Sequence, residues 1–145
     1  VERGSNVQEN CIIHVFPGKD VLLKEGSHIG HGAVIHGATI EPNCLVGMNA
    51  VVMDDAVIGK ESIIGALTFI KQGTQVPERS VYAGNPGKKV KDVSDEMLKW
   101  KTEGTQWYKN LPESFRNSLL SCEPLSEDNL NRPRGKGGFS PLKSN

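Results

Sequence analysis

The chain has 145 residues, enough for one domain and a tail. Seventeen basic and seventeen acidic side chains cancel, so no net field recruits nucleic acid or an anionic membrane. No apolar run nears the roughly 18 residues of a membrane span, and no secretory signal pattern opens the chain. Three irregularly spaced cysteines give neither a disulfide framework nor a CxxC metal pair, and together these features predict a cytoplasmic protein.

Residues 1–14 begin inside a six-residue register, with Val7 and Ile13 as aliphatic positions and Cys11 as a small residue four after Val7. The start at Val1, mid-register and without methionine, predicts that further coils precede it in the natural protein. Their absence would bare an apolar end. The next matching position is Leu23, ten after Ile13, so four residues are inserted. The insertion falls near Val15-Phe16-Pro17-Gly18-Lys19-Asp20, whose Pro-Gly turn chemistry predicts a loop bulging from the repeat.

From Ile29 the beat is nearly regular, through Ile35, Ile40, Val46, Val52, Ile58, Ile64, Ile70 and Val76. The one short step, Ile35 to Ile40, drops a residue. A small residue follows most of these by four (Ala33, Cys44, Ala50, Ala56, Ser62), and Gly30, Gly47, Gly59 and Gly65 follow directly. Six residues make a short strand and a corner, and three such units make a triangular coil of about eighteen. Coils stacked at the parallel-strand spacing of about 4.8 Å turn the inward aliphatic residues into continuous ladders. The glycines are expected at the corners, where positive φ carries no Cβ penalty for them. Cys11 and Cys44 take small inward positions as packing residues. Glu9 and the Asp54-Asp55 pair fall at corners and are expected to be solvated.

Past Pro77 turn formers dominate, and Ser94 followed by Asp95 and Glu96 predicts a capped helix start. Met97, Trp100, Lys101, Trp107, Tyr108 and Leu111 offer a packing stripe. Gly104 and Pro112 predict that this helix comes in two pieces. The expected organisation is therefore an all-β parallel coil over 1–88, a helical segment over 89–121 and an extended tail over 122–145 that contains Cys122.

Four histidines carry the candidate chemistry: His14, His28, His31 and His36. His14 follows Ile13 and His36 follows Ile35. Their separation of 22 is one coil plus the four-residue insertion, so they stack on one face at about the 4.8 Å coil spacing. Two imidazoles so placed can converge on one ion at Zn–N distances of about 2.0–2.1 Å. His31 lies two after Ile29, on the preceding wall, and does not turn onto that face. If three coils pack around a threefold axis, His31 of one subunit approaches His14 and His36 of the next. Three nitrogens with an open fourth position suit a hydrolytic site better than a closed structural one. His28 is placed at a corner beside the set, exposed or supporting it.

Asn6-Val7-Gln8-Glu9-Asn10-Cys11-Ile12-Ile13-His14, with Ile29-Gly30-His31-Gly32-Ala33-Val34-Ile35-His36-Gly37, resembles the γ-class carbonic anhydrase family of left-handed β-helix hexapeptide proteins. The likeness runs through Val46-Gly47-Met48-Asn49-Ala50 and is strongest to the PaaY-like and CaiE-like proteins of phenylacetate and carnitine catabolism. It implies a homotrimer with zinc, iron or cobalt on His14, His31 and His36, and Asn6 and Gln8 near the water on that ion. A proline stands where the family's loop glutamate falls, so this loop lacks the family's acidic proton shuttle.

Three functions follow as expectations. One is a carbonic anhydrase-like lyase acting on CO2, with hydrolysis of CoA thioesters as the other outcome of the same centre. A CoA-dependent acyltransferase is a second, because the Tyr82-Ala83-Gly84-Asn85-Pro86-Gly87-Lys88 ending is shared with such enzymes on this fold. A trimeric scaffold tied together by metal is the third.

Overall fold

The inward aliphatic positions close into three walls. In the computed structural model, which describes residues 1–121, three short strands make each coil. The first holds β1 (Asn6–Val7), β2 (Ile12–His14) and β3 (Leu22–Leu23). The second holds β4 (His28–Ile29), β5 (Val34–His36) and β6 (Thr39–Ile40). The third holds β7 (Leu45–Val46), β8 (Val51–Val52) and β9 (Val57–Ile58), and the fourth β10 (Ile63–Ile64), β11 (Phe69–Ile70) and β12 (Gln75–Val76). Every pairing between coils is parallel, so the walls read β1-β4-β7-β10, β2-β5-β8-β11 and β3-β6-β9-β12. This is the expected β-solenoid of hexapeptide repeats.

The ladders match the sequence register. Ile13 pairs with Ile35 and Ile35 with Val52; Val7 pairs with Ile29 and Ile29 with Val46. From Leu23 to Val76 these side chains are buried, each worth about 1.5–3 kcal/mol. In the first coil Val7 is 41% and Ile13 42% exposed, because the only coil covering them is the one above.

The corners correct one expectation. Positive φ falls three residues after the inward aliphatic, at Asn10, Asn43, Asn49, Asp55, Glu61, Leu67 and Arg79 among others. Asparagine and aspartate tolerate this region; for Leu67 it is a genuine cost. The glycines directly after the aliphatic residues serve close coil contact instead: a Cβ on Gly47 would lie 2.5 Å from Ala66 N, and one on Gly59 2.5 Å from Val76 O.

Beyond the coil, β13 (Ser80–Ala83) continues the first wall beside β10, and β14 (Lys88–Asp92) returns antiparallel on it. The segment expected to be helical from residue 89 thus starts as a strand. A single helix, α1 (Asp95–Ser118), follows, capped by the Ser94 hydroxyl accepting the Met97 N–H at 3.2 Å. Pro112 lies inside it rather than dividing it. Proline forfeits one helix hydrogen bond and clashes with the preceding turn, but the capped and packed turns before it carry the helix through. Gly104 and Thr105 are buried. So is Lys101, at 3% exposure, its Nζ donating to Gly26 O at 2.7 Å and to Asn43 Oδ1 at 2.6 Å. Burial brings the Lys101 pKa down to about 8. The expected tail, with Cys122, lies outside the described residues. Cys11 and Cys44 pack as expected; burial pushes the Cys44 thiol up to about 11.

Candidate metal centre

Because Ile13 and Ile35 point inward, the residues after them point out. The parallel pairing of β2 with β5 therefore sets His14 directly beside His36. Their rings lie 5.0 Å apart, with His14 Nδ1 3.0 Å from His36 Nε2. On its far side His36 Nδ1 is 2.8 Å from Asp54 Oδ2. Aspartate accepts, so a neutral His36 carries its proton on Nδ1, and its bare Nε2 then accepts from His14 Nδ1–H. Phe16, brought over by the inserted loop, meets the His36 ring edge-on at 5.0 Å.

Asp54 overturns its expected solvated corner: it is 6% exposed and holds the far nitrogen of His36 in the way histidine-bound metals are commonly supported. Its Oδ1 is buried without a hydrogen-bond partner among the described residues. The gap it fills comes from Gly37, at φ +56°, where a Cβ would stand 2.4 Å from that oxygen. The dropped residue before Ile40 sets the Asp54 backbone beside Gly37, but nothing in the repeat tells that its side chain turns inward toward His36. Asp55 is exposed as expected and bonds Lys19 Nζ at 2.8 Å. That ion pair holds the Asp55 carboxyl below its ordinary range and raises the Lys19 ammonium.

The pair fits a metal. Two nitrogens bound to one tetrahedral zinc stand about 3.3 Å apart, from bonds of about 2.0–2.1 Å, and His14 and His36 already present theirs at 3.0 Å. Among the described residues, no three His, Cys, Asp or Glu side chains of one chain gather around a common point. His31, expected on the preceding wall, lies instead at the corner after β4, with Nδ1 2.8 Å from the exposed Glu9 Oε2.

Gln8 joins His31 rather than the pair. Its Oε1 accepts the His31 backbone N–H at 3.1 Å, and its Nε2 lies 2.6 Å from His28 Nε2. His28, expected at a corner, is instead the outward residue of β4, with its ring edge-on to Tyr108 of α1 at 4.8 Å. Burial, then the Lys101 and His31 charges, lower its pKa to about 4, leaving it neutral at pH 7. Asn6 pairs with His28 in the adjacent coil, and both polar atoms of its side chain are buried without partners among the described residues. Between this wall and α1 runs a cleft of about 540 Å³, walled by Leu45, Met48, Trp100, Trp107 and Tyr108, with Gln8, His28 and His31 at one side.

Residues 37–72 match the family model described as "Bacterial transferase hexapeptide (six repeats)". Over 137 residues, 94% of this chain and 70% of the relative, the chain is 42% identical to the carnitine operon protein CaiE of Proteus sp. (strain LE138). The chain belongs to the hexapeptide-repeat family of CaiE. Solved members of the wider hexapeptide class share the coil. A hexapeptide transferase family protein from Anaplasma phagocytophilum superposes with a TM-score of 0.73 at 28% identity, over 77% of this chain and 66% of that one. A putative acetyltransferase from Bacillus cereus gives 0.64 at 29%, over 74% and 67%. Among the described residues no helix is long and apolar enough to cross a membrane.

Proposed function

We propose that three copies of this chain assemble, and that His14 and His36 of one copy with His31 of the next hold zinc, or iron or cobalt, for carbonic anhydrase-like hydration of CO2 to bicarbonate. The observation that carries this reading is the imidazole pair, 3.0 Å between facing nitrogens and braced by Asp54. The chemistry such an ion supplies is Lewis acidity, enough to make a nucleophile from water at neutral pH. The chain's residues do the rest. His14 and His36 bind, and Asp54 keeps His36 oriented with Nε2 bare. Gln8 and Asn6, the latter with an unpartnered amide, hold the oxygen atoms of substrate or water.

A second reading is CoA thioester chemistry, by hydrolysis or by acyl transfer. The cleft beside His31 favours it, since CO2 needs no apolar chamber of about 540 Å³. The Bacillus cereus protein is described as a putative acetyltransferase, which points toward transfer, and the CaiE name points toward a carnitine-type catabolic setting.

Metal analysis of the purified protein, with CO2-hydration and thioester assays in parallel, separates the readings. The expected result is stoichiometric metal and CO2 hydration, both lost in His36→Ala. Tight stoichiometric zinc in His36→Ala would remove the centre. Acetyl transfer surviving complete metal removal would establish the transferase reading instead.

A further inference from the structure

The Gln8 amide is gripped at both ends. Its Oε1 meets the His31 backbone N–H at 3.1 Å, and its Nε2 meets His28 Nε2 at 2.6 Å. Turned over, the amide would set its NH2 against a backbone N–H, two donors facing each other, so the carbonyl end belongs at His31. The NH2 end must then donate to His28, whose Nε2 must be a bare acceptor with the ring proton on Nδ1. The ring is held in turn by its strand and by Tyr108, edge-on at 4.8 Å.

We infer that His28 is a positioning residue: by accepting from the Gln8 NH2 it fixes which end of that amide faces His31 and leaves one Gln8 N–H for a substrate oxygen. The inference rests on the reading that His31 and Gln8 enter a shared metal centre, and it adds the residue that orients them. Glutamine has three rotatable side-chain bonds, and ordering them before substrate arrives removes that cost from the reaction. A leucine at position 28 would offer Gln8 no acceptor. Burial keeps the ring neutral at pH 7, so the acceptor persists under working conditions.

Nitrogen NMR of histidine-labelled wild-type protein at pH 7 tests this without metal or substrate. The expected spectrum shows His28 protonated on Nδ1 with Nε2 bare; an Nε2–H tautomer would overturn the assignment. The second arm is His28→Phe, which keeps a ring against Tyr108 and removes the acceptor, with His28→Gln restoring one. In His28→Phe the Gln8 NH2 resonances should move toward those of a free side chain and the His31 amide should exchange faster. The kcat of the metal-loaded enzyme should fall about 10- to 100-fold, the range of lost supporting contacts, with KM and metal content unchanged. His28→Gln should recover part of the loss. Unchanged Gln8 resonances in a folded His28→Phe protein would sink the idea. If wild-type protein bound no metal and hydrated no CO2, the functional reading would fail while both NMR arms still judged His28.

Discussion

His14 and His36 stand on paired strands, with a buried carboxylate behind one and an aromatic ring beside it. His31 stands on a corner, its ring exposed beside a still more exposed glutamate. Yet all three are named by one repeat at nearly the same spacing. The first pair is ordered by a single chain, because β2 and β5 fix their backbones and Asp54 fixes a ring. The third has an ordered backbone, through Gln8, and a side chain that is half exposed beside Glu9. That difference is what a site built in halves would show, one half complete and the other waiting for its neighbour.

The comparison breaks most readily at Asp54. In Asp54→Asn the amide can still meet His36 but no longer carries charge, and metal affinity should drop about 10- to 100-fold, measured by competition with a chromophoric chelator. An unchanged affinity would make the buried carboxylate a mere filler of the Gly37 gap.

A smaller effect concerns the wall that carries His31 and Gln8, which α1 clamps through Lys101. The folded pKa of Lys101 is about 8 against an ordinary 10.5. Between those values the unfolded chain binds more protons, so this group's contribution is fully present above pH 10.5 and lost as pH falls through 8. The urea midpoint should therefore rise from pH 8 toward 10 in the wild type, and rise less in Lys101→Met. Parallel slopes in the two proteins would show that the ammonium is better solvated than its burial implies.

The smallest effect belongs to Glu9. Its contact with His31 is exposed on both sides, so Glu9→Gln should alter metal affinity less than about threefold and stability by less than about 1 kcal/mol. A larger loss would mean that Glu9 is sheltered in the assembly and belongs to the ordered part of the site.

Much of this was legible in the sequence because a hexapeptide coil converts spacing directly into position. The four residues inserted before Leu23 were enough to set His14 beside His36, and the constant register was enough to keep His31 away. Asp54 was not legible, since the register gives the backbone address of a corner and not the reach of its side chain into space left by a glycine. His28 was misplaced for a related reason. The six-residue beat does not say which outer wall a C-terminal helix will cover, and that cover makes an exposed position into a half-buried one. Lys101 was hidden in the same way, read as one member of a packing stripe when it is the buried ammonium that pins α1 to two coils. Pro112 misled because helix breaking is a local cost, and a capped, packed helix outweighs it.

The shared centre itself is tested most directly by mixing two defective subunits. His31→Ala and His14→Ala chains carrying different tags are co-expressed, and mixed assemblies are isolated through both tags and assayed for metal. Around a threefold ring every mixed trimer has one junction where an intact His14–His36 pair meets an intact His31. Each pure variant should be empty of tightly bound metal, and the mixed trimers should recover about one ion each. Mixed trimers as empty as the pure variants would contradict a site built from two chains.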